Sequence, residues 1–391
     1  MKRLLYLFTL IFLIGCGGEK DSPKQTGEKK TTAPKKTAIQ ERVKLIAPIP
    51  SDPNYNYEII GNKAVIIKYN GSAESFTIPA TIEGIPVTEI RAKAFANSTT
   101  LQSIIIGENV NIIGRWAFSG CTGLSSIEIP DGVTAIGELA FDNCSNLESI
   151  NVDENNQYYS SEDGVLYDNG KTKMIQCPLG KTGSLAVARG VSSIDNYAFR
   201  SCGKITSIAF GNEVTSIGVG AFYNCVELTA ITLPEAVSSI GDMAFYQCSN
   251  LTSVTIPASI TTIGVQTFGN CSGLRQVIIQ EGVTSISKGA FFKCSDLAEV
   301  TIPSSVKFLG KGSFSRCGEL NSVTFFGDAP SASWIPLVEA SQLFTIVRAV
   351  RVGEILLPVW LLKLFLLNKQ KSAFIFAFQF ILINFLIHLA V

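Results

Sequence analysis

Apolar residues recur along this chain on two scales. Within a unit, Val254 and Ile256 alternate with Ser253 and Thr255, the two-residue period of a strand with one buried face. Between units the pattern repeats every 23 residues: Phe95, Phe118 and Phe141 keep that step, and so do Phe199, Phe222, Phe245, Phe268, Phe291 and Phe314. Cysteine follows three residues later, at Cys121, Cys144, Cys202, Cys225, Cys248, Cys271, Cys294 and Cys317, with Ser98 in its place in the first unit. Six residues after each phenylalanine stands a leucine or isoleucine, from Leu101 to Leu320. A fixed step of this length marks a repeat array.

One unit, taken from Leu251, opens with a short strand through Ile256 and turns at Pro257, because proline cannot continue a hydrogen-bonded ladder. Pro130, Pro234 and Pro303 hold the same place in their units. The chain then runs through Ile260 and Ile263 into Gly264 and the phenylalanine corner, a second extended piece and a tight bend. Such a coil cannot bury its apolar residues alone. Stacking at the strand spacing of about 4.8 Å sets equivalent side chains over one another and makes the core continuous. The pattern predicts a mainly β repeat solenoid of short parallel strands over residues 91–330.

Two stretches break the step. Residues 57–78 read as two extended segments joined near Asn70-Gly71, a hairpin signal, so residues 46–90 are expected to form an N-terminal β cap and a first partial repeat. From Cys144 to Cys202 the step is 58, which places an insertion of 35 residues at about 153–188. Its carboxylates, Asp153, Glu154, Glu162, Asp163 and Asp168, lack the spacing of an EF-hand calcium loop and read as solvated.

The recurring strand, proline, Ile-Gly and Ala-Phe-x-x-Cys, with Ala117-Phe118, Ala140-Phe141, Ala198-Phe199, Ala221-Phe222, Ala244-Phe245 and Ala290-Phe291, resembles the BspA-like family of leucine-rich repeat surface proteins over about residues 57–330. Thr267, Ser313, Asp195 and Ser287 replace the usual alanine or glycine and bear only on local turns. The resemblance implies BspA-type leucine-rich repeats, a hairpin-bearing longer repeat for the insertion, and a surface antigen with adhesive roles toward host or extracellular matrix proteins and other cells. It also implies a closing strand after a Gly-Asp-Ala-Pro stretch, which does not follow residues 327–330 here.

The ends differ from the repeats. Met1, Lys2 and Arg3 precede an apolar run at residues 4–14 that is too short for an ordinary membrane span, so residues 1–15 read as a signal peptide. Leu13-Ile14-Gly15-Cys16 resembles the lipobox of bacterial lipoproteins, which implies lipidation of Cys16. Each buried acyl methylene would contribute about 0.8 kcal/mol to anchoring in the cell envelope, at the outer membrane or cell surface. Residues 16–45 are rich in Lys, Thr, Glu and Pro and read as a flexible tether. In residues 331–391 two apolar runs, 355–367 and 373–391, flank Lys369 and Lys371. The second run is 19 residues, just enough to span. A membrane segment, a disrupted gene end and a segment folded over the open edge at Leu320 and Phe325 all remain open for this tail.

Charge and chemistry narrow the function. Basic and acidic side chains number 32 each, which removes the attraction that nucleic-acid binding needs. The only histidine is His388, in the tail, so the repeats hold no Ser-His-Asp or Cys-His arrangement. Carboxylates alone can run acid-base chemistry, but no pair stands out, and neither catalysis nor a cofactor is expected. One thiol per coil does not converge on a tetrahedral metal site; neighbouring coils would bring thiols within disulfide range, but Ser98 in the first unit and Cys177 off register make pairing untidy, and the cysteines read as buried small apolar groups. Function is expected on the exposed strand positions, where Glu128, Asn151, Thr232, Thr255, Thr301 and Thr324 form one long, mostly neutral column suited to a protein or glycan.

Overall fold

The computed structural model describes residues 54–327 and, beyond them, the short strands Ser331–Ala332, Thr345–Arg348, Arg351–Val352 and Ile355–Leu356. Residues 1–53, with the expected signal peptide, Cys16 and the expected tether, lie outside the described residues, as does the tail after residue 356.

Among the described residues every regular element is a strand, and each coil contributes two. The first strand pairs in parallel with its equivalent one coil on: Ser126–Ile129 lies beside Ser149–Val152 with Ile127 opposite Ile150, and Ser253–Ile256 beside Gln276–Ile279 with Val254 opposite Val277. Exposed and buried residues alternate along Ser253–Ile256, as the two-residue period requires. The second strand is two residues long and joins a different sheet, as where Ser193–Ile194, Ser216–Ile217 and Ser239–Ile240 pair in register. The glycine after this strand is there for close approach: a Cβ on Gly137 would lie 2.3 Å from the amide nitrogen of Arg115 in the preceding coil.

The phenylalanines of the 23-residue ladder, from Phe95 to Phe314, point inward and are fully buried. Phe245 and Phe268 stack at 5.2 Å and 1°, Phe268 and Phe291 at 5.4 Å and 6°, and Phe291 and Phe314 at 5.2 Å and 1°. The spacing exceeds that of paired strands only slightly, so the rings follow the backbone ladder in offset stacks.

The cap is a hairpin, with its turn placed differently from the sequence expectation. Tyr55–Ile60 pairs antiparallel with Lys63–Tyr69, and the loop is Gly61-Asn62, with Gly61 at φ +64. A two-residue loop needs a positive φ that glycine supplies at no steric cost. Asn70 and Gly71 instead donate their amides to the Asn54 carbonyl at 2.7 and 3.1 Å and close the hairpin's other end. Lys63–Tyr69 also pairs in parallel with Ile85–Ile90, and Tyr69 stacks on Phe95 at 5.1 Å, so the cap supplies the first ring of the aromatic ladder.

The insertion folds as a three-stranded unit. Tyr159–Glu162 and Val165–Asp168 form a hairpin around Asp163 and Gly164, both at positive φ, and Lys173–Gln176 returns to the parallel register beside Ser193–Ile194. Val165, Leu166 and Tyr167 are all buried. Leu166 packs into the core shared with Phe95, Phe118 and Phe141, whereas Val165 and Tyr167 pack into the core that runs from Met174 to Phe325. This strand is a partition wall between two apolar cores. The acidic residues of the insertion lie at its turns and strand ends: the Asp168 carboxylate accepts the amides of Thr172 and Lys173 at 2.7 and 2.8 Å, Asp153 accepts that of Asn155, and Glu162 pairs with Lys171.

At the other end the stack outlasts the repeat pattern. Thr345–Arg348 pairs in parallel with Ser322–Phe325, and Ser331–Ala332 with Phe308–Leu309. These two short strands continue the parallel pairing past the last repeat, Leu320 and Phe325 are buried, and the apolar run 373–391 lies outside the described residues.

Candidate binding surface

The alternation that buries Val254 and Ile256 leaves Ser253 and Thr255 outside. Repeated in register, it generates two exposed columns. The outer residues expected from the sequence fall in one of them. Asn151 lies opposite Glu128 and donates its side-chain amide to the carboxylate at 2.7 Å, and Thr301 lies opposite Thr324. Thr232 and Thr255 hold the same place in their coils, and both are exposed.

The structure alters the expected character of this column. Ile278 lies opposite Thr255 and is 48% exposed, and Ile105, in the same position two coils ahead of Asn151, is 62% exposed. Ala186 and Ala209 pair with each other in the same column. The face is thus a hydroxyl-rich surface carrying isolated apolar points. A second column, of Ser126 and Ser149, Ser253 and Gln276, and Glu299 and Ser322, runs parallel to it. The sequence pattern contained that column, since it is the other exposed position of the same alternation.

Not every exposed threonine is available to a partner. Thr229 and Thr252 donate their hydroxyls to the carbonyls of Thr206 and Thr229, at 3.1 and 3.2 Å, and Thr284 to that of Thr261 at 3.0 Å. These side chains stitch one coil to the next.

The cysteines are buried and unpaired throughout the described residues, and they do more than fill space. Cys121 donates its thiol to the Phe95 carbonyl at 3.1 Å, and Cys225, Cys248 and Cys271 repeat the contact with Phe199, Phe222 and Phe245. Each thiol therefore ties a corner to the coil before it. Burial pushes the Cys225 thiol above its ordinary range, and burial followed by hydrogen bonding to Cys271 does the same at Cys248. Such thiols stay protonated and are poor nucleophiles or metal ligands. Among the described residues no group of three His, Cys, Asp or Glu side chains gathers to hold a metal.

The insertion also interrupts the corner ladder. Trp116, Phe118 and Gly120 donate their amides to Glu138, Ala140 and Asp142 in the next coil, and the series resumes only where Cys177 donates to Ala198 and Tyr197 to Val219. Cys177 thus stands where a phenylalanine would be expected. Across the break the Arg200 guanidinium bonds the Asp142 carboxylate, whose side chain is 7% exposed. A notch of about 270 Å³ opens here, between Glu138 and Leu139 on one wall and Gln176, Asn196 and Tyr197 on the other.

Stacked parallel strands, an inward phenylalanine ladder and a periodic outer face define a leucine-rich repeat solenoid. The chain belongs to the BspA type leucine rich repeat family: the family model for that region matches in six copies over residues 59–179 and 192–321. A leucine-rich repeat protein from Eubacterium ventriosum is 21% identical, with a TM-score of 0.52 over 70% of this chain and 93% of that one. A leucine rich cell surface protein from Faecalibacterium prausnitzii is 24% identical, with a TM-score of 0.40 over 75% and 98% of the two chains. The pneumococcal vaccine antigen PcpA is 16% identical, with a TM-score of 0.40 over 72% and 94%. No curated protein matches the chain.

Proposed function

We propose that this is an exported, lipid-anchored recognition protein of the bacterial cell surface, which binds a protein or glycan through the exposed face of its first strands. The observation that carries this reading is the in-register column Thr255, Ile278, Thr301 and Thr324, in which a half-exposed isoleucine stands among hydroxyls. Interfaces of this kind take most of their affinity from a few apolar anchors, and the surrounding polar groups set register. Membership of a leucine-rich repeat family supports binding over catalysis. Lipid on Cys16, with residues 16–45 as a spacer, would hold the face away from the membrane.

The test is binding of the full chain, in detergent, to arrays of extracellular matrix proteins and glycans, with Ile278→Asp as the variant. Binding that Ile278→Asp abolishes without lowering the melting temperature is the expected result. Uniform absence of binding would instead make the rod a structural spacer. Mass spectrometry of the native N-terminus checks the anchor, since the reading requires a diacyl or triacyl Cys16 as the first residue.

A further inference from the structure

A second feature lies at the corner where each coil passes from its phenylalanine into its first strand. Gln247, Asn270, Lys293 and Arg316 occupy one position in four successive coils, and Ser249, Ser272 and Ser295 another, and together they line an open groove of about 420 Å³. The serines are half-buried and form its floor, and Gln247, Lys293 and Arg316 are exposed on its rim. The side chains of Gln247, Ser249, Asn270 and Ser272 make no hydrogen bond to another described residue, whereas Ser295 donates its hydroxyl to the Ser272 carbonyl. None of the lining residues is acidic. At the cationic end, Lys293 Nζ and Arg316 Cζ lie 5.7 and 5.6 Å from the centre of the Phe292 ring.

The residue choice at these corners is informative. The position has a positive φ in every coil, and Asn97, Asn143, Asn224 and Asn270 fill it at φ 57 to 63. Asparagine tolerates that conformation better than other side chains that carry a Cβ. Lys293 and Arg316 adopt it at φ 59 and 61. Gly120, Ser201 and Gln247 fill it in other coils, so the corner accepts varied residues, and here it carries two long cations in adjacent coils.

We propose that this groove binds an extended carboxylate-bearing glycan, with sugar hydroxyls on the amides and serines and a carboxylate between Lys293 and Arg316. A polyhydroxylated chain matches a lining of amides and hydroxyls, and the coil spacing of about 4.8 Å is close to one sugar residue of an extended chain. An acidic peptide is matched less well, because no apolar pocket in the groove would anchor a side chain. The proposal specifies a ligand class for the recognition protein argued above but uses different residues from the strand face.

Calorimetry of the full chain in detergent at physiological salt tests it, with hexagalacturonate, its carboxyl-reduced neutral counterpart and poly-glutamate of equal charge as probes. Hexagalacturonate should bind, and the neutral counterpart should bind at least about tenfold more weakly, as expected when charged hydrogen bonds are lost. K293N/R316N restores the residue preferred at this corner, so it should keep the melting temperature while losing the acidic sugar by at least about tenfold. Ser272→Tyr, which fills the floor and leaves both cations, should also abolish binding. No binding of hexagalacturonate, equal binding of the neutral sugar, or tighter binding of poly-glutamate would each overturn the assignment. Ile278→Asp should leave the sugar affinity unchanged, so failure of the strand-face reading is distinguishable from failure of this one.

Discussion

Replacing Phe268 by leucine tests whether ring stacking, beyond apolar volume, holds neighbouring coils together. Phe268 is fully buried and stacks on Phe245 at 5.2 Å and on Phe291 at 5.4 Å. Each stacked pair contributes about 0.5–1.5 kcal/mol beyond its buried area, so losing two should cost about 1–3 kcal/mol. Phe141 is equally buried but stacks only on Phe118, at 5.7 Å, because the insertion separates it from Phe199. Phe141→Leu should therefore cost about 0.5–1.5 kcal/mol, half as much. Truncation of either residue to alanine adds the cavity and should cost about 3–5 kcal/mol. The assay is urea unfolding followed by circular dichroism, with Phe308→Leu, at a 42% exposed position, as the reference. Because coils interact only with their neighbours, Phe268→Ala should also split the transition, the core from Met174 to Phe325 melting before the core around Phe118. Equal costs for the two leucine variants, or a single unsplit transition for Phe268→Ala, would refute the additive ring ladder and the partition.

Three further outcomes follow from the same geometry. The Cys144, Cys202, Cys225, Cys248 and Cys294 thiols are held above their ordinary range in the fold, so their contribution to stability is complete below the unfolded thiol pKa of about 8.5 and is lost as pH rises beyond it. The melting temperature should be level from pH 7 to 8 and fall by pH 9.5, more gently in Cys248→Ala; a flat profile would contradict the thiol ladder. Arg200→Met leaves the buried Asp142 carboxylate unpaired and should cost up to about 3–5 kcal/mol, reduced because Arg200 is 28% exposed, and the double variant with Asp142→Asn should recover much of the loss in chemical denaturation. Gly241→Ala places a Cβ 2.5 Å from the Val219 amide nitrogen and should cost about 1–3 kcal/mol as overpacking; a neutral thermal melt would show that the coils can part freely.

The periodic parts of this fold could be read from the residues because each position faces one environment in every coil. Phe245 and Val254 are buried for the same reason as Phe118 and Ile127, so one unit read correctly gives the rest. Departures from the period were harder. Nothing local distinguishes Asn70-Gly71 from Gly61-Asn62 as the hairpin turn; the choice depends on Lys63–Tyr69 pairing with Ile85–Ile90, a tertiary contact. Val165, Leu166 and Tyr167 form a continuous apolar run, the signature of a strand buried on both faces, which was the available sign that the insertion enters the core. The thiol-to-carbonyl bonds were not legible, since a small apolar residue and a hydrogen-bond donor leave the same mark at the cysteine position. The outer strand positions form a column as the alternation requires, but Ile105 and Ile278 interrupt its polar character because exposed strand positions tolerate β-branched residues of either polarity.

The wall formed by Val165, Leu166 and Tyr167 has a mechanical consequence. Within either half, a pull along the stack is shared among the hydrogen bonds that join every layer to the next. At the wall the corner bonds are missing, and the load passes instead through the Asp142–Arg200 pair, the Gly180 amide on the Leu147 carbonyl and the Tyr159 hydroxyl beneath Ile136. Under such a pull the chain would yield there first, shedding strain at one seam while the core on either side stays folded.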